Sequence, residues 1–163
     1  QLSAPDLPDY RTLRLQALME CPEAFGATPR SEQALADAQI LHRFGGRPGQ
    51  IMWGSFDDRG SLEATLGMHR DTGEKTMHKG HLFAMYVAPQ NRSQGLARRL
   101  LDIAIDHAKS LNLHQLMLGC NASNHSALRL YEQAGFQAYG LEPAALLVDG
   151  EFFDEVLMVL RLR

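Results

Sequence analysis

Residues 81–87, His-Leu-Phe-Ala-Met-Tyr-Val, are almost continuously apolar, and Pro89 follows two residues later. A strand that is apolar on both faces needs cover on both, so this one belongs in the middle of a sheet. Pro89 cannot donate a ladder hydrogen bond and ends it. Beyond Gly95 the apolar period changes from two to 3.6. Ala97, Leu100, Leu101, Ala104, Ile105 and Ala108 share one helical face, while Arg98, Arg99, Asp102, Asp106 and Lys109 lie mostly off it. A central strand feeding an amphipathic helix restricts the chain to a sheet covered by helices.

The rest of the chain fills in that architecture. Leu13, Leu15, Ala17, Leu18 and Met19 have helical spacing, in a helix that ends before Pro22. Residues 22–29 read as a loop punctuated by Pro and Gly. Residues 31–46 read as a second helix, with Ser31 as N-cap and Gly45-Gly46 as its stop. Residues 1–4 read as the remnant of a first strand. Strand patterns at 50–58 and 61–71 flank Asp58-Arg59-Gly60, a hairpin turn. A polar loop at 72–80 leads into the central strand. A strand at 114–120, a short helix closed by Gly135, and two strands at 136–142 and 152–162 complete the order. The fold class is α/β (α+β): a mixed, mostly antiparallel sheet of about six or seven strands flanked by about four helices. It is not a doubly wound sheet.

At 163 residues the chain reads as a single domain, 1–163. Apolar residues at 45% and charged residues at 21% suit a globular protein. A net charge of −3 argues against a nucleic-acid partner, which calls for a basic face. No apolar run reaches the ~18–20 residues that cross a bilayer, so no membrane partner is expected. The first residues lack the basic start and apolar centre of a signal peptide. The chain begins without Met, as it does when an initial segment has been removed. Its cysteines, Cys21 and Cys120, make no disulfide framework, and a reduced, cytoplasmic setting is the expectation.

The junction Arg92-Ser93-Gln94-Gly95-Leu96-Ala97 holds the first chemistry. A helix start leaves N–H groups without intrahelical partners, and the helix dipole adds positive potential there. Together they suit a phosphate. Gly95 removes a Cβ where an anion approaches the backbone. Ser93 and Gln94 add donors, and Arg92 a charge-assisted contact. The stretch lacks the glycine pattern of a P-loop or of a dinucleotide fingerprint. On the residues alone, a phosphate cradle and an ordinary solvated helix start both remain open.

Arg92-x-x-Gly95-x-Ala97, after a central strand, resembles the acetyl-CoA-binding segment of the GNAT superfamily of N-acetyltransferases. A second segment matches that family's later motif, with Asn124, Ala127, Tyr131, Gly135 and Phe136 in place. The loop Cys-Pro-Glu-Ala-Phe-Gly and the strand Met-Tyr-Val-Ala-Pro are also similar. The resemblance implies a GNAT fold, in which the central strand splays from its neighbour. It implies acetyl-CoA as co-substrate; no metal is expected, because no Cys or carboxylate cluster has structural-zinc spacing. Backbone groups of Met85, Tyr86 and Val87 would pair with the pantetheine arm, somewhat like an added strand. Arg92, Ser93, Gln94, Gly95, Leu96 and Ala97 would hold the pyrophosphate.

Asn124 and Tyr131 lie seven residues apart, about 700° of helical rotation, hence on nearly one face with Ala127 between them. Ala127 leaves room for a ligand, and Asn124 reads equally as ligand contact or N-cap. Tyr131 is the implied general acid for a thiolate leaving group. The base is harder to place: His81 is a candidate, where relatives often carry a carboxylate. The implied reaction is direct attack of a primary amine in a ternary complex. The acceptor is unnamed, and a homodimer accords with the family. Two alternatives stand beside it: a non-catalytic acyl-CoA-binding domain of the same fold, and a phosphate binder unrelated to CoA. Covalent catalysis by Cys120 lacks a Cys-His partner pattern. Arg98 and Arg99 read either as a solvated helix face or as contacts for the CoA 3′-phosphate. Phe25, Trp53, Phe152 and Phe153 are either pocket or core.

Overall fold

Local chemistry sets the helix boundaries. The computed structural model describes residues 1–46 and 49–162. Helix α1 (Leu7–Glu20) has Pro8 in its first turn, where a missing N–H costs nothing. It buries Leu7, Tyr10, Leu13, Ala17 and Leu18, while Met19 is exposed. The helix expected over 31–46 is instead two short ones, α2 (Pro29–Gln33) and α3 (Asp37–Leu41). Thr28, not Ser31, caps α2: its hydroxyl accepts from the Ser31 N–H at 3.1 Å, and the Ser31 hydroxyl accepts from the Thr28 N–H at 2.9 Å. Gln39 Oε1 accepts from the Ala36 N–H and opens α3 as a separate helix.

Six strands form one sheet: β1 (Ile51–Phe56), β2 (Leu62–Arg70), β3 (Lys79–Val87), β4 (Gln115–Asn121), β5 (Gln137–Val148) and β6 (Glu151–Arg161), in the order β1-β2-β3-β4-β6-β5. All neighbours are antiparallel except β3 and β4, which α4 (Leu96–Ser110) connects. Helix α5 (His125–Gln133) follows β4. Strand β5 runs six residues past the expected end at 142, because its pairing with β6 resumes at Leu146–Phe153 after an irregularity. Residues 1–4 form no strand. Leu2 meets the sheet through an N–H donated to the Met52 carbonyl.

Two cores cover the two faces. Ile51, Trp53, Leu66 and Met68 face α4, where Leu100, Leu101, Ala104 and Ala108 meet them. Met52, Tyr86 and Ala88 face α1 and α3, where Tyr10, Leu13, Ala17 and Ile40 meet them. Adjacent residues of β1 point to opposite cores, as strand alternation requires. The central strand β3 is covered on both faces.

The feature that makes a site is in β3. Phe83 opposes Gly67 and Tyr86 opposes Thr65, so three steps on β3 match two on β2. This is a β-bulge. Its residue Ala84 has φ +53, and the Ala84 carbonyl accepts from the Thr65 hydroxyl at 3.1 Å. A bulge bends its strand and interrupts pairing. Accordingly β3 and β4 pair only at Lys79–Gln115, Gly80–Leu116 and His81–Met117. Beyond His81 they part, and a cleft opens.

Candidate active site

The splayed edge of β3 carries the first set of groups. The Ala88 N–H donates to Glu63 O of the β2 side at 2.9 Å. Strand alternation therefore turns the N–H and C=O of Val87 to the other edge, into the gap. The side chains of Met85 and Val87 pack on the α4 core, and Tyr86 is buried on the α1 side. Of their backbone groups, those of Tyr86 pair with Thr65 on β2, and those of Val87 face the gap.

The cradle lies at the end of that edge. Gly95 caps α4 in a left-handed conformation, φ +76 and ψ +7, with no side-chain cap. The first helical bond runs from Arg99 N–H to Gly95 O, so the N–H groups of Leu96, Ala97 and Arg98 have no intrahelical partner. A Cβ on Gly95 would meet nothing within 4 Å, so the site there is open. A cavity of about 490 Å³ joins this helix start to Met85–Val87, Asn124, Ala127 and Tyr131. Ser93, Leu96 and Ala97 line it; Gln94 is exposed and does not.

Arg92 also lines the cavity, with its guanidinium engaged by protein groups. Its Nε donates to the Val87 carbonyl at 3.0 Å, and Nη2 binds Glu20. Glu20 also accepts from the Tyr86 hydroxyl at 2.6 Å. Burial alone would raise the Glu20 carboxyl, but the hydrogen bonds from Tyr86 and Arg92 outweigh it and hold it below the ordinary range. Arg92 thus pins the cradle to the end of α1. Arg98 is similarly occupied, by Asp102 and the Gln133 carbonyl at the end of α5.

Asn124 is the N-cap of α5: its Oδ1 accepts from the Ala127 N–H at 3.0 Å. That leaves its amide NH2 to offer a ligand. Tyr131 lies seven residues on, near the same face, and lines both cavities. Burial first, and the neighbouring Cys120 second, push its phenol above the ordinary range. It holds its proton at any physiological pH.

The second cavity, about 310 Å³, lies between the parted strands β3 and β4. Phe25 lines both cavities; Trp53 is core, and Phe152 is exposed. The Asn121 amide donates to the Glu23 carbonyl, closing the loop after α1 over this end. Cys120 is buried, and burial with the Glu155 charge raises its thiol to about 11. Such a thiol is a poor nucleophile.

His81 stands outside both cavities. It pairs with Asp71 at 3.1 Å and stacks on His69, at the last paired position of β3. One ligating atom each of His69, Asp71 and His81 lies within 4.8 Å of the others, a grouping that the sequence spacing did not reveal. The imidazole planes are stacked only 10° from parallel, so their in-plane lone pairs do not converge on one point. The carboxylate in the cleft is Glu155 of β6, and the cation is Arg14 of α1. Sequence reasoning named neither. A Glu within an apolar strand and an Arg between two leucines were the available signals.

Residues 15–136 match the acetyltransferase (GNAT) family, and the chain belongs to that family. Over 79 residues it is 32% identical to spermidine N(1)-acetyltransferase of Vibrio cholerae, covering 48% of this chain and 46% of that one. The chain spans about half the length of the curated relatives it matches. A GNAT acetyltransferase of Streptococcus pneumoniae superposes with a TM-score of 0.87 at 20% identity, covering 99% and 96% of the two chains. A phosphinothricin acetyltransferase of Sinorhizobium meliloti in complex with AcCoA gives 0.83 at 18%, covering 98% and 85%. The fold is the GNAT fold. No helix among the described residues is long and apolar enough to cross a membrane.

Proposed function

We propose that the chain is an acetyl-CoA-dependent N-acetyltransferase acting on a primary amine by direct attack in a ternary complex. One observation carries this reading. The unpartnered N–H groups at α4, the splayed edge of β3 and the protonated Tyr131 face one continuous cleft. The residues fit acetyl-CoA. The N–H groups of Leu96, Ala97 and Arg98 would hold its pyrophosphate at a positive helix end. The gap-facing N–H of Val87, whose carbonyl already accepts from Arg92, would hold the pantetheine arm, and the NH2 of Asn124 adds a donor. Bound there, acetyl-CoA supplies an activated acyl carbon and a thiolate leaving group.

The chain supplies the proton handling. Tyr131 holds a proton at Oη beside the junction of the two cavities, where the leaving sulfur needs it. Glu155 lines the acceptor side, and burial together with Glu142 raises its carboxyl. A raised carboxyl is a better base near neutral pH. Glu155, rather than His81, takes the proton from the incoming ammonium. Holding both substrates in adjoining cavities contributes through proximity.

The test is calorimetry with acetyl-CoA and with ATP, followed by an amine screen read by free thiol. Acetyl-CoA binding with amine-dependent thiol release supports the reading. Binding with no turnover for any amine favours a binding domain of the same fold. Binding of ATP and not of acetyl-CoA removes the reading.

A further inference from the structure

The acceptor cavity holds two side chains of opposite charge that the packing leaves incompletely satisfied. Arg14 reaches into it from α1 with its side chain only 11% exposed. Its Nε is fully buried and makes no hydrogen bond. The nearest carboxylate oxygen, Glu32 Oε2, is 3.6 Å away and equally lacks a hydrogen bond. The guanidinium lies 4.7 Å from the centre of the Phe25 ring.

Glu32 does not neutralise Arg14 alone. Its other oxygen accepts from Arg43 Nη1 at 2.6 Å. One carboxylate thus serves two guanidinium groups, and of these three side chains Arg14 alone lines the cavity. A buried charge short of partners is costly, and an anion in the cavity would give the Arg14 guanidinium a counter-charge beyond the one that Glu32 shares with Arg43.

Glu155 supplies the opposite sign. It opposes Asn121 across β4–β6 and Glu142 across β5–β6. Gly119 gives it room: a Cβ there would lie 2.5 Å from Glu155 Oε2. Tyr131, the proton donor, lines the same cavity. At about 310 Å³ the space is at the small end of ligand sites.

We propose that the acceptor is a small zwitterion, an α-amino acid or close analogue, whose anionic group is bound by Arg14 and whose ammonium is bound by Glu155. The proposal rests on the acetyltransferase reading of the same cleft. Glu155 takes one proton from the ammonium, and the freed nitrogen lone pair forms the N–C bond. The C–S bond breaks, the thiolate takes the Tyr131 proton, and the second proton that the nitrogen sheds as the amide forms restores the Tyr131 phenol. A polyamine or a protein lysine offers Arg14 no anion and places a further cation or an uncharged chain beside it.

The experiment compares the twenty amino acids, their C-terminal amides and spermine as acceptors, with acetyl-CoA and a free-thiol readout. At least one amino acid should be acetylated with kcat/KM roughly 10- to 150-fold above that of its amide, the range for hydrogen bonds to a charged group. In Arg14→Gln that ratio should fall toward one, and Arg14→Lys should keep part of it. The parent ratio needs no variant, so it stands even if a variant misfolds. Amides or spermine turned over as well as amino acids would overturn the zwitterion while leaving the acetyltransferase. Acetyl-CoA bound with no amino acid acetylated would also overturn it. Failure of acetyl-CoA to bind would remove the acetyltransferase reading first, and the proposal with it.

Discussion

Gly95→Ala separates the cost of a backbone conformation from the cost of losing a ligand contact. Gly95 has φ +76, and its added Cβ would meet no protein atom within 4 Å. The variant therefore suffers no clash, only left-handed strain of about 1–2 kcal/mol. For a chain of this size that lowers Tm by roughly 2–8 °C. Gly60 in the β1–β2 hairpin is a matched control, with φ +80 and equally open space. Gly60→Ala should lose a similar amount of stability. Only Gly95→Ala places a methyl group where a pyrophosphate approaches the α4 amides. One lost hydrogen bond to a charged group weakens Kd roughly 10- to 150-fold. Differential scanning calorimetry gives the two Tm values, and titration calorimetry with acetyl-CoA gives Kd. Equal Tm losses with a Kd loss at Gly95 alone support the cradle. Unchanged acetyl-CoA affinity in Gly95→Ala refutes it.

Further outcomes follow from the same geometry. Tyr131→Phe should lower kcat by about 10²-fold or more and change the acetyl-CoA KM less; steady-state kinetics with an unaltered kcat would exclude Tyr131 as the acid. Glu142 is the like charge that helps raise Glu155, so Glu142→Gln should move the acid limb of the kcat/KM profile to lower pH, and an unmoved limb would take the base role from Glu155. Glu20 is held below its unfolded value by Tyr86 and Arg92. A depressed carboxyl contributes stability that is fully present above its unfolded pKa and is lost as pH falls through the folded one. Thermal melts should therefore show a loss of stability below the ordinary carboxylate range that Glu20→Gln lacks; identical pH profiles would contradict the lock between α1 and the cradle.

What the sequence revealed tracks how local the signal is. The apolar stripe of α4 and the both-faced apolar run of β3 are local patterns, and both elements lie where they were expected. Gly95 was legible as the start of the helix, whereas its left-handed conformation emerges only in the fold. The break between α2 and α3 was not, because Thr28, Ser31 and Gln39 each offer a cap and only geometry selects among them. The bulge at Ala84, which opens the site, has no glycine or proline to mark it. Arg14 and Glu155 are 141 positions apart (155 − 14), and only the splay of β3 from β4 makes them neighbours of one cavity. His81 looked like a base because it begins the apolar run. The same register that pairs it with Met117 keeps it in the closed part of the sheet, beside His69 and Asp71.

The most direct measurement is thiol release from acetyl-CoA by the purified chain, with and without an acceptor panel of amino acids, amides and polyamines. The account predicts release that depends on an amine, saturates with both substrates and yields an acetylated amine by mass spectrometry. Release that is independent of every amine, or none at all from a chain that binds acetyl-CoA, would contradict it.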